Sequence, residues 1–225
     1  MKRLFFFLLL SIVFFDCKDG KNEPQPASAD NGLVDLTELP DSLKAKEIAD
    51  SIAAIEVNKE AILKSLTKKT FLLIKTHNYR ALDSLIHPEI GIRFSPYANI
   101  NEADQKFSKK EFALLFTKNK NQKYTWGAYD GSGDPIILTA PEYFKKFVYD
   151  AGFENPEKLE LNKTIGKGNT VNNIHAFYKG EDFTESYFSG NKQKERLDWK
   201  SVRLIFKQID GQFYLIGIVH DQWTI

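Results

Sequence analysis

VRLIFKQIDGQFYLIGIVHDQWTI, residues 202–225, is the stretch on which the fold turns. Val202, Leu204 and Phe206 alternate with Arg203, Ile205 and Lys207, the period of a strand whose successive side chains point to opposite faces. Asp210-Gly211 is a two-residue pair that takes positive φ readily, so the run predicts two long antiparallel strands, 201–209 and 212–224, joined by a tight hairpin. The face carrying Val202, Leu204 and Phe206 is expected against a core. The other face mixes Arg203 and Lys207 with Ile205 and is expected to be partly exposed.

Working back from the hairpin, alternating patterns predict strands at 91–94, 124–129, 135–138, 159–162, 171–178 and 183–188. Ser108 with Glu111 and Thr139 with Glu142 are capping boxes that each open an apolar-periodic run, so two short helices are expected among the strands. Before residue 90 the period is helical. Asp41 or Ser42 can cap a first helix with Leu43, Ile48, Ile52 and Ile55 as its stripe. A second helix follows Asn58, with Ile62, Leu66, Thr70 and Leu73 on one face, supported by Leu63 and Ile74, and stops near His77-Asn78. A short helix at 81–86 ends where Pro88 disfavours the α conformation at His87. The plan is α+β: N-terminal helices packed on a curved, mostly antiparallel sheet, forming one domain over residues 41–225.

The chain begins differently. Lys2 and Arg3 precede LFFFLLLSIVFF, residues 4–15, which is shorter than the roughly 20 apolar residues of a membrane span and suits the roughly 7–15 of an export signal. The only cysteine, Cys17, stands directly after this run, where a bacterial lipoprotein signal places the residue that is lipidated. Residues 1–16 therefore read as a signal peptide. Residues 18–40, KDGKNEPQPASADNGLVDLTELP, are too polar to fold and, with Cys17, read as a flexible tether. Cleavage at Ala27-Ser28-Ala29 and a retained signal anchor are the competing readings, disfavoured by distance and by the short apolar run. The expected location is the bacterial cell envelope, with lipid on Cys17 holding the protein to a membrane; the outer membrane or cell surface is favoured over the cytoplasmic membrane.

Composition narrows the chemistry. An apolar fraction of 42% with 27% charged residues excludes collagen-like, disordered and polytopic membrane classes. Thirty-one Lys and Arg against 30 Asp and Glu leave +1, no electrostatic footprint for nucleic acid. Beyond Cys17 no disulfide, thiolate ligand or cysteine nucleophile can form. His77, His87, His175 and His220 stand at no metal-ligand spacing, so neither a metal nor a cofactor is expected. GKGNT, residues 166–170, lacks the P-loop pattern and reads as a turn. DGSGD, residues 130–134, starts like a calcium loop but has Pro135 and Pro141 where Gly and Glu are needed; an irregular cation site and a tight hairpin loop remain its two readings.

His220 and Asp130 are the candidate general acid or base. Strand alternation separates His220 from Asp221: His220 lines a pocket if the concave face carries Ile216 and Ile218, and Asp221 does if it carries Leu215, Val219 and Trp223. Arg93, inside an apolar strand, can hold a ligand carboxylate or pair with a surface acid. Tyr97, Trp126, Tyr129 and Trp223, together with His220, are the candidate binding walls.

The run NYRALDSLIHPEIGIRF, residues 78–94, after a long helix, resembles the front end of the NTF2-like (SnoaL-like, cystatin-like α+β cone) superfamily, and the closing hairpin resembles its last two strands. RFSPYA, YTWGAYDGSGDPI, IGKGNT and HDQWTI resemble segments of uncharacterised bacterial lipoproteins. That superfamily hosts isomerases, dehydratases, cyclases and many non-catalytic binding modules. The resemblance implies either a binding module for a small molecule or an envelope protein, or an acid-base enzyme of isomerase, dehydratase or hydrolase type with a cone-shaped pocket. The lack of a complete catalytic constellation favours the binding module.

Overall fold

The structure is a computed structural model that describes residues 41–224; the segments read above as a signal peptide and a tether, with Cys17, lie outside the described residues. Contacts divide the chain at Lys46/Glu47, and the architecture below belongs to the unit that starts at Glu47. Where two helices were expected there is one, α1, Asp41–Lys75. The segment around Asn58 contains no Gly or Pro, and an asparagine in a helix interior costs only about 0.7 kcal/mol at most, too little to break it. The buried row also differs from the predicted stripe. Leu63, Thr67, Thr70, Phe71 and Ile74 are buried, Leu66 and Leu73 sit at the edge, and Ile62 is exposed. Residues 48–58, with Ile48, Ile52 and Ile55, are exposed throughout.

The remaining elements follow in order: α2 (Tyr79–Asp83), β1 (Ile92–Ser95), β2 (Lys106–Phe107), α3 (Lys109–Leu115), β3 (Lys123–Ala128) and β4 (Pro135–Thr139). Then come α4 (Ala140–Tyr143), which runs into a π-helical turn (Phe144–Val148), and β5 (Lys158–Leu161), α5 (Ile174–Phe177), β6 (Asp182–Phe188), β7 (Lys200–Ile209) and β8 (Gln212–Gln222). Six strands form a mixed sheet in the order β2-β1-β8-β7-β6-β5, in which β1 lies parallel to β8 and the other pairings are antiparallel. β3 and β4 make a separate hairpin. The α+β plan stands. More helical segments interrupt the strands than the two expected, although both capping boxes are present as predicted, opening α3 and α4.

The β7–β8 hairpin turns on Asp210 (φ 49°) and Gly211 (φ 77°), positive φ at both positions as a type I′ turn requires. Ile205 pairs with Gly217 and Phe206 with Leu215, so Ile216 is an extra residue in β8. This bulge brings Leu215 and Ile218 onto one face. With Phe213, Val202, Leu204 and Phe206 they pack in the cluster that includes Leu63, Phe71 and Ile74 of α1. Thr67 and Thr184 hydroxyls hydrogen-bond at 2.6 Å between α1 and β6 within this layer.

The opposite face of the sheet is covered, contrary to the expectation of partial exposure. Arg203 and Ile205 are fully buried there, and Ile216 and Val219 pack with Ile100, Ile174 and Phe183. The cover includes residues 171–178, expected as a strand but containing α5. Asn173 explains the difference: its side chain bonds both the amide and the carbonyl of Ile100, at 2.8 and 2.9 Å, anchoring the segment to the loop after β1. Asn172 accepts from the Ile174 amide, starting the turn.

Candidate functional site

β1 ends at Ser95, and Pro96 leads the chain into a loop, residues 96–104, that faces the tip of the β3–β4 hairpin. Between them lies a cleft of about 240 Å3 lined by Tyr97, Asn99, Asn101, Asp104, Tyr129 and Asp130. Thr170 closes one side. Three residues singled out in the sequence, Tyr97, Tyr129 and Asp130, thus meet in one place although they come from separate elements.

Arg93 shapes this loop and is not among the residues that line the cleft. Its Nη1 donates to the carbonyls of Asn101, Glu102 and Asp104 at 2.8–3.1 Å, and Nη2 pairs with the Glu102 carboxylate at 2.9 Å. Its guanidinium lies 5.2 Å from the centroid of the Phe177 ring, which fills its remaining face.

The two carboxylates of the cleft are displaced in opposite directions. Asp104 is buried, and that burial raises its pKa, although the Asn101 amide, Ser95 and Arg93 oppose the shift. Asp130 is exposed, and hydrogen bonds from the Thr224 and Thr170 hydroxyls, helped by the Gly131 amide, hold its carboxyl below the usual range. The Tyr97 hydroxyl is raised mainly by burial, with the Asp130 backbone amide beside it. Tyr129 accepts from Lys146 Nζ at 3.0 Å. Within 130–134, Asp130 Oδ1 and Ser132 Oγ accept from the Gly131 and Asp134 amides, the arrangement of a tight hairpin loop. Among the described residues no three His, Asp or Glu side chains gather to hold a metal.

The other sequence candidates lie elsewhere. Trp126 is fully buried, stacked on Tyr143 at 3.9 Å with its indole N–H donating to the Leu138 carbonyl; it belongs to the core and forms no cleft wall. Trp223 is about one-third exposed and does not line this cleft. His220 is fully buried on the face that carries Ile218, with Nδ1 3.2 Å from the Pro96 carbonyl oxygen and Nε2 3.5 Å from Asp150 Oδ2. Asp150 also accepts from Lys200 at 2.5 Å. Burial opposes ionisation of Asp150, but His220 and Lys200 outweigh it and hold the carboxyl below its ordinary range. His220 therefore ties the start of the 96–104 loop to β8 and the π-helical turn. It is not among the residues that line the cleft.

Sequence reasoning missed Asp104, whose place depends on the loop being folded over by Arg93. It also missed a buried ion cluster on the covered face of the sheet. Arg203 Nη2 lies 3.1 Å from Glu185 Oε1, 3.1 Å from Asp221 Oδ2 and 3.3 Å from the Gly166 carbonyl. Glu185 accepts four donors, adding the Ile165 and Gly166 amides and the Ser201 hydroxyl. Among the described residues Asp221 receives only Arg203, and its Oδ1 has no partner. Burial pushes Asp221 up to about 6 even though Arg203 pulls the other way. A glutamate and an arginine at paired positions of neighbouring apolar strands were the available signal.

The GKGNT segment is the seal over this cluster. The Gly166 amide and carbonyl bond Glu185 and Arg203, and the following residues reach the cleft: Asn169 donates to the Thr224 carbonyl and Thr170 to Asp130. The cleft is acceptor-rich, with two tyrosines, two asparagines and two carboxylates, and can hold a small ligand that donates hydrogen bonds. Comparison with protein-family models, with curated proteins and with solved structures finds no match to this chain.

Proposed function

We propose that residues 47–224 form an NTF2-like domain, held in the cell envelope by lipid on Cys17, that binds a small polar molecule without transforming it. The helix packed on one face of a sheet that ends in a long hairpin supports the family reading. The observation that carries the functional reading is the convergence of Tyr97, Asp104, Tyr129 and Asp130 on one cleft. Acceptors predominate there, so the fitting ligand is a saccharide or a small amine. Calorimetric titration with a panel of monosaccharides and di- and polyamines tests this. Wild-type protein is expected to bind at least one of them, and Asp130→Asn to weaken that binding about tenfold, the worth of one charge-assisted hydrogen bond. A panel without a binder, or one whose binder ignores Asp130→Asn, sinks the reading. Anchoring is tested separately: a palmitate analogue fed to producing cells should label wild type and not Cys17→Ala.

A second reading, an acid-base enzyme, draws on one observation: Asp104 and Asp130 line the same cleft with their proton affinities pushed apart. Asp130 is then the base and Asp104 the acid. Turnover of an isomerisable or hydrolysable substrate, abolished by Asp104→Asn, is what separates it from the binding module.

A further inference from the structure

A second cleft, about 510 Å3, opens where the end of α1 meets α2, the end of α3 and the π-helical turn. Its walls are Ile74, Tyr79, Phe116, Phe144 and Tyr149. The Tyr79 and Phe116 rings stack at 3.4 Å with 7° between planes, and Phe144 meets both edge-on at 5.8 and 4.8 Å. α1 ends by turning through His77 in the left-handed region, which lays its ring along Tyr79 at 5.9 Å and 13°. The cleft is thus a ring-lined concavity of a size suited to a small organic ligand.

Its charged side chains are of one sign. Lys120 and Lys145 stand at the rim with His77, and among the described residues no acidic side chain lines the cleft. Among the described residues neither lysine has an ion-pair partner. Glu154, which the Tyr149 hydroxyl bonds, is already paired with Lys75 at 2.6 Å. Two unpaired ammonium groups beside an aromatic wall complement a ligand with an anionic head and an aromatic body.

We infer that this cleft is a binding site for an aromatic carboxylate, its ring against Phe116 and Phe144 and its carboxylate between Lys120 and Lys145. The site is separate from the Tyr97–Asp130 cleft, so either can fail without the other.

The test is a fluorescence and ligand-observed NMR titration of the full-length protein in detergent with 2-naphthoate, neutral 2-naphthalenemethanol, cationic 2-naphthylmethylammonium and dodecanoate. Naphthoate should bind at least tenfold more tightly than the neutral and cationic analogues and than dodecanoate. The exposed-site variant Lys120→Gln/Lys145→Gln should erase the preference for naphthoate over the alcohol, and Asp130→Asn should leave it unchanged. No naphthoate binding, equal affinity for the alcohol, a preference that survives the double substitution or is lost with Asp130→Asn, or tighter binding of dodecanoate overturns the assignment.

Discussion

Arg203 organises the covered face of the sheet, and its neighbours make its removal costly. Arg203→Ala leaves Glu185 and Asp221 buried without a counter-charge, and equilibrium urea melts at pH 8 should show a loss of about 3–5 kcal/mol. Asp221 adds a pH signature. Its folded pKa of about 6 lies above its ordinary value of 3.8, so the folded state holds a proton that the unfolded chain releases. The corresponding stability is present at acid pH and is lost as pH rises through about 6. The stability of wild type relative to Asp221→Asn should therefore fall by on the order of 2 kcal/mol between pH 4 and pH 8, measured by paired melts. A pH-independent difference would show that Asp221 ionises normally. Sequence reading took His220 as a candidate acid or base and left open whether it or Asp221 lines a pocket. Both are buried, beneath a cover that local sequence does not announce.

At the scale of elements, β7 gives the sharpest contrast. Phe206 is buried within the α1 layer, and Phe206→Ala should cost about 3–5 kcal/mol. Lys207, next along the strand, is partly exposed and pairs with Glu181 of the turn before β6; Lys207→Ala should cost no more than about 1 kcal/mol. Denaturant melts of the two variants measure both, and equal losses would mean that the register is wrong. Elements with a local signal were legible: the hairpin from Asp210-Gly211 and α3 and α4 from their S/T-x-x-E boxes. α1 was legible as helix but not in its facing, because Ile62, Leu66 and Leu73 form a row as apolar as Leu63, Phe71 and Ile74. Residues 171–178 were misread because Asn173 is held by Ile100, a partner distant in sequence that no periodicity reports.

For the whole molecule, the loop through Gly166 links the buried ions to the cleft. A Cβ at Gly166 would stand 2.6 Å from the Trp199 ring, too close for the loop to stay seated. Gly166→Ala should therefore destabilise the protein by about 1–3 kcal/mol through the amide bonds lost to Glu185. It should also speed hydrogen exchange at Ile165 and Gly166, read by NMR; unchanged exchange would mean that the loop accommodates the methyl. By itself the sequence determined the α+β class, the terminal hairpin, the capped helices and the meeting of alternating strands with apolar cores. All of these follow from patterns spanning a few residues. Only the tertiary structure decided that Tyr97, Asp104 and Asp130 share a cleft, that His220 and Trp126 are interior, that Arg93 straps a loop, and that Lys120 and Lys145 flank an aromatic wall. Each depends on which side chains a neighbouring segment covers or leaves exposed, and coverage is set by contacts between residues far apart in the chain.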